Sequence, residues 1–156
     1  MCNIGMAFEN CTIQLSNALP NLIEIRIDYC NDLVELLVGL CDIVLLKKLS
    51  ITNCHNLFAL PKGIGKLVNL EVLRFWSCTD LSKLPESIRS LHKFSILDIF
   101  DYLSISKLPK KNIGELCNLK VLNVKWCLRL RNPLPKSTIN LRQLKLVVCD
   151  EERAKS

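Results

Sequence analysis

The sequence predicts an α/β solenoid dominated by short parallel strands, in which about six similar coils share one aliphatic interior. Three observations predict it. Aliphatic residues return at a nearly constant interval along the chain. Inside each interval a short stretch alternates with period two, and a Leu-Pro pair recurs downstream of it in most copies. Self-similarity at a period of roughly 20 to 50 residues is the mark of repeat architectures, whose units cannot bury an apolar face alone.

Set in register, the units begin at Leu22, Leu46, Leu70, Phe94, Leu119 and Leu141, separated by 24, 24, 24, 25 and 22 residues. Each follows LxxLxLxxCxxLxxLPxxIxxL, the pattern of a leucine-rich-repeat solenoid. Its second and third apolar positions accept any aliphatic. The fourth anchor is Cys30, Cys54, Cys78, Cys127 and Cys149 in five units and Tyr102 in the remaining one. The expected organisation is an N-terminal flank over 1–18, repeats over 19–149, and a charged tail over 150–156.

Each element follows from its residues. The LxL stretch turns its aliphatics to one side and the intervening residues to the other. Stacking such strands about 4.8 Å apart completes a parallel ladder. Leu-Pro at 60–61, 84–85, 108–109 and 134–135 fixes an extended turn, because proline locks its own φ and restrains its predecessor. The isoleucine and leucine that follow, such as Ile64 and Leu67, then return to the core from the convex side, where a short helical turn is weakly signalled. The recurring cysteine fits as a small buried side chain at the bend after the strand, its thiol meeting turn carbonyls. Metal or redox chemistry and disulfides between layers are the rival readings.

Composition bounds the function. The chain has 156 residues and is 49% apolar, enough to bury a continuous core. The formal charge of +6 is uneven: residues 1–70 hold five Lys/Arg and six Asp/Glu, residues 71–156 sixteen and nine. A basic half could face nucleic acid, an anionic membrane or an acidic protein. No run of Lys/Arg exceeds two residues and acids are interspersed, so an ordinary solvated surface is expected, with no nucleic-acid partner. No stretch approaches the roughly 18 apolar residues of a membrane span.

The N-terminus, MCNIGMAFENC, lacks a basic n-region and an apolar h-region, so no signal peptide is expected. The sequon at Asn10, Cys11 and Thr12 is expected to stay idle. The nine cysteines, with no CxxC pair, are expected to remain reduced in the cytoplasm or nucleus. His55 and His92 have no neighbours arranged as a triad or metal set. The acidic Asp150, Glu151 and Glu152 belong to the solvent-exposed tail. No carboxylate pair forms acid–base machinery. An enzyme is not expected, nor any cofactor or metal.

The unit LxxLxLxxCxxLxxLPxxIxxL resembles the cytosolic repeats of plant nucleotide-binding leucine-rich-repeat immune receptors, and lacks the LxGxIP segment of extracellular plant repeats. More narrowly, LKKLSITNCHNLFALPKGIGKLVNLEVLRFWSCTDLSKLPESI and the closing LPKSTINLRQLKLVVCDEE resemble the C-terminal end of the helper, activated-disease-resistance-like subclass. The resemblance covers roughly residues 19–156. It implies a larger parent with a coiled-coil signalling domain and a nucleotide-binding switch domain. This chain is then expected to be a fragment or truncated form, without the GxxxxGK[ST] phosphate loop. The implied partners are the parent's nucleotide-binding domain or lipase-like defence signalling heterodimers. Three departures, Leu37 in place of the proline of LP, Tyr102 in place of the cysteine, and the added Pro133, predict local distortion of units one, four and five. The alternative is a stand-alone adaptor or scaffold in signalling unrelated to immunity, with a nucleic-acid binder third.

By alternation the outward residues are Glu24, Arg26 and Asp28; Lys48, Ser50 and Thr52; Val72, Arg74 and Trp76; Ile96, Asp98 and Phe100; Val121, Asn123 and Lys125; and Gln143, Lys145 and Val147. Trp76 and Phe100 occupy equivalent places in adjacent units and should stand side by side. With Arg74, Asp98, Asn123 and Lys125 they form the candidate protein-binding face, since aromatic residues beside basic ones mark interaction hot spots. The competing expectation is that both rings fold onto neighbouring strands or onto another domain.

Overall fold

The computed structural model describes residues 15–81, 83–101, 108, 113–130 and 136–150. Six strands form one parallel sheet in sequence order: β1 Glu24–Asp28, β2 Lys48–Thr52, β3 Val72–Trp76, β4 Ile96–Phe100, β5 Val121–Asn123 and β6 Leu146–Val148. Every pairing between neighbours is parallel and one coil apart, so the sheet is the inner wall of a solenoid. A four-residue helix, α1 (Leu15–Ala18), precedes β1 beside the first convex turn.

Alternation within the strands is as the sequence predicts. Leu49 and Ile51, Leu73 and Phe75, Leu97 and Ile99, and Leu122 and Val124 are buried, whereas the residues between them face outward. Their side chains join Leu46, Leu70, Phe94 and Leu119 in one core running the length of the solenoid. The convex side returns through single 3-10 turns, Val38–Asp42, Lys62–Lys66, Glu86–Ser90, Ile113–Glu115 and Lys136–Asn140. Ile64, Ile88 and Ile113 drop from these turns into the core. Leu37 adopts φ −58°, ψ 136°, against −56° and 137° for Pro61. The expected distortion of the first unit is therefore absent. An extended residue before the turn is what geometry requires, and leucine reaches it without proline's help. Tyr102 and Pro133 lie outside the described residues, as do the sequon and the Leu-Pro prolines 109 and 135.

The second and third coils approach closely at Gly65. A Cβ there would stand 2.3 Å from the carbonyl oxygen of Ser87 in the next turn, so only glycine lets the second and third coils stack at this distance.

At the bend after each of the first five strands, Tyr29, Asn53, Ser77, Asp101 and Trp126 take positive φ, between 52° and 63°. Cysteine follows in four of these places. The Cys78 thiol lies 3.5 Å from the Ile51 and Trp76 carbonyls, and Cys127 3.1 Å from that of Ile99. Each thiol thus donates back to the preceding coil, as the structural reading of the cysteines predicts. The seven described cysteines are free thiols, and burial pushes that of Cys78 up to about 11, far from the thiolate that reactivity needs.

The sixth coil corrects the sequence alignment. Val121 pairs with Leu146 and Leu122 with Val147, so the unit begins at Leu144, 25 residues after Leu119. Leu141 is the convex leucine, equivalent to Leu116: its N–H meets the Thr138 carbonyl as that of Leu116 meets Ile113. Leu146 and Val148, not Gln143, Lys145 and Val147, take the outward places, and Cys149 falls outside the cysteine row. Local LxxLxL spacing around Leu141 imitated the start of a unit, but the preceding 3-10 turn sets the phase.

Candidate protein-binding face

The sheet register brings the predicted residues together. Arg74 lies opposite Asp98, Asp98 opposite Asn123, and Trp76 opposite Phe100. Arg74 Nε donates to Asp98 Oδ2 at 3.0 Å, and Asn123 Nδ2 donates to Asp98 Oδ1 at 2.8 Å. One carboxylate therefore ties three strands together. Asp98 is the buried polar residue of the described chain, 7% exposed, and both of its oxygens are satisfied. Burial of a charge is tolerable when it is paired and hydrogen-bonded in this way. The Asn123 Oδ1 in turn accepts the Lys125 backbone N–H.

Above this network runs a row of rings. The centroids of Trp76 and Phe100 are 5.9 Å apart with planes at 58°, within the range of attractive tilted pairs. The Arg74 guanidinium sits 5.1 Å from the Trp76 ring centre, so one residue both anchors on Asp98 and covers an indole. Trp76 remains 41% exposed: the rings stand beside one another and do not fold away into the core.

The row holds a third member that the alternation does not assign. Trp126 follows the outward Lys125, and its ring lies 5.2 Å from Phe100 at 32°, with the Lys125 ammonium 5.9 Å from its centre. β5 ends at Asn123, and the chain turns at Trp126 through φ 63°, which swings the indole onto the neighbouring coil's outward ring. A left-handed conformation costs a residue with a side chain about 1–2 kcal/mol. Asparagine, serine and aspartate fill this place in the second, third and fourth coils. The bulky residue beside a predicted face residue is the signal that a strict period of two passes over.

Asp150 joins this side of the ladder through the bend after β5. In the first four coils the N–H at the bend donates to a carbonyl of the next coil, as Ser77 does to Phe100. Trp126 N–H instead donates to the Asp150 carboxylate, 3.2 Å from either oxygen. The residue assigned to the tail thus stands in the sixth coil where Thr52, Trp76, Phe100 and Lys125 stand in theirs, and its side chain accepts where their carbonyls do. On the outward side of β1 and β2, Arg26 pairs with Glu24 at 2.6 Å and the Thr52 hydroxyl donates to Asp28. His55 and His92 are exposed, and among the described residues no group of three His, Cys, Asp or Glu side chains converges as a metal site would.

No family model matches the sequence, and no curated protein matches it significantly. Solved structures do. A leucine-rich-repeat protein of Leptospira interrogans aligns at 25% identity and TM-score 0.50, over 83% of this chain and 37% of that one. The leucine-rich-repeat domain of the type III effector XopL aligns at 18% and 0.42, over 88% and 72%. The ectodomain of the Arabidopsis thaliana membrane receptor kinase GASSHO1/SCHENGEN3, solved with CASPARIAN STRIP INTEGRITY FACTOR 2, aligns at 16% and 0.42, over 82% and 20%. This chain spans well under half of the Leptospira and Arabidopsis chains. The six-stranded parallel sheet, the 3-10 returns and the Leptospira likeness define a strand-dominated leucine-rich-repeat solenoid. Among the described residues no helix is long and apolar enough to cross a membrane.

Proposed function

We propose that this chain is a non-catalytic protein-interaction module that binds its partner across the outward side of β3, β4 and β5. One observation carries the reading: Trp76 and Phe100 are held as a tilted pair on a sheet backed by a packed core, over an Arg74–Asp98–Asn123 network that ties their strands together. Rings held in place before binding lose little conformational freedom when a partner covers them, which is what makes aromatic residues effective anchors.

The finer assignment rests on the sequence. The resemblance of the repeat unit and of the closing LPKSTINLRQLKLVVCDEE to helper-type plant immune receptors supports a role in intracellular defence signalling. The face then either holds the parent's nucleotide-binding domain or captures a lipase-like signalling heterodimer. The test is capture of those two recombinant proteins by the wild type and by the Trp76→Ala/Phe100→Ala double variant. We expect the double variant to keep its far-ultraviolet circular dichroism and to lose capture by at least about tenfold, the effect of removing two hot-spot rings. Equal capture by both proteins removes this face as the site.

A further inference from the structure

We propose that Trp126 is the third anchor of this face and that the ring row takes a protein segment presenting an apolar side chain flanked by carboxylates. The inference rests on the binding reading above and specifies the chemistry of the partner.

The row Trp76–Phe100–Trp126 is continuous, with centroid spacings of 5.9 and 5.2 Å. Trp126 is 51% exposed although it stacks on Phe100, so about half of the residue remains open to a partner. It also occupies a backbone conformation that bulky residues avoid. The repeat imposes this bend in the other coils too, at Tyr29, Asn53, Ser77 and Asp101, so what is particular to the fifth coil is the indole it places on Phe100.

The charges around the row select the partner. Each end carries a cation over an indole, Arg74 at Trp76 and Lys125 at Trp126. A basic group from a partner would compete with these for the ring faces and meet like charge. Among the described residues beside the row, Asp98 is neutralised by its ion pair with Arg74, and Asp101 and Asp150 are engaged as hydrogen-bond acceptors. Asp98 takes Arg74 and Asn123, Asp101 takes Ser77, and Asp150 takes the Trp126 N–H. Carboxylates from a partner meet the opposite arrangement, with Lys125 exposed at one end and a half-exposed Arg74 at the other. An apolar side chain between them would cover the rings. Residues 71–156, with sixteen Lys/Arg against nine Asp/Glu, add a favourable field over the same half.

The experiment uses the full chain and two synthetic peptides of equal length, each with a central Leu-Phe, one flanked by glutamates and one by lysines. Binding is followed by calorimetry. The glutamate peptide should bind, and more weakly as salt is raised, and the lysine peptide should bind at least about tenfold less tightly. The informative variant is Trp126→Asn, because Asn53 fills the equivalent bend in the second coil. It should weaken the glutamate peptide by about tenfold while the melting temperature stays level or rises. A structural role alone would lower both. Equal affinity for the two peptides, unchanged affinity in Trp126→Asn, or no binding of the glutamate peptide would each overturn the proposal. In that event, loss of capture by the Trp76→Ala/Phe100→Ala variant keeps the face as a binding site, and unchanged capture removes both.

Discussion

The outward sides of β1–β2 and of β3–β5 stand on one ladder with the same register and the same core behind them, yet their surfaces differ in kind. On the first two strands the polar groups pair locally and in water: Arg26 with Glu24 two residues away, Lys48 with the same carboxylate at 3.9 Å, Thr52 with Asp28. On the next three, one buried carboxylate joins three strands beneath a row of rings. The repeat specifies where side chains point and leaves what they are to each coil. Function in such a fold therefore belongs to differences between coils, while stability belongs to what they share.

If stability is shared, a core truncation should weaken both regions at once. Leu73 is fully buried on β3, the strand of the second region that adjoins the first. Leu73→Ala should destabilise the chain by about 2–5 kcal/mol, as large-to-small changes in close-packed cores do. Urea unfolding followed by tryptophan emission, which reports on Trp76 and Trp126, and by circular dichroism should shift together. Separate transitions would show that the two halves unfold independently and would break the comparison at its root.

The polar groups should separate the regions. Asp98→Ala leaves the Arg74 guanidinium and the Asn123 amide without their partner in a half-buried site, at a cost of about 1–3 kcal/mol. Asp28→Ala removes an exposed acceptor and should shift stability by no more than about 0.5 kcal/mol. Matched urea titrations compare the two. Equal losses would mean that burial beneath the rings adds nothing to the network.

Much of this was legible in the sequence, for identifiable reasons. The strand positions of the first five coils follow from anchors such as Leu73 and Leu97, because period-two alternation and a constant repeat length leave one arrangement that buries them all. The same logic brought Trp76 and Phe100 together, since equivalent places in adjacent coils become neighbours in a parallel ladder. Two things were hidden. The phase of the last coil was obscured because Leu141, Leu144 and Leu146 fit the LxxLxL template in one frame and the convex-turn template in another. The pairing of Leu146 with Val121 and the 3-10 turn before Leu141 decide between them. Trp126 was hidden because alternation describes strands, and its contact with Phe100 arises where the chain leaves the strand.

The smallest expected effect sharpens the comparison most. The Glu24 carboxyl is held below its ordinary range chiefly by its hydrogen bond from Arg26; burial opposes this, and the charges of Arg26, Lys48 and Arg74 each lower it by a smaller amount. A carboxyl lowered in the folded state contributes stability above its unfolded value and loses it as pH falls through the folded one. Arg26→Ala should therefore lower stability slightly at neutral pH and converge with the wild type in acid. The effect should fade with added salt, because the pair lies in water. The same variant should leave capture of the partner unchanged. A drop in capture at unchanged stability would extend the footprint onto β1 and make the binding surface the whole ladder, so Arg26, at the polar end, tests where the face stops.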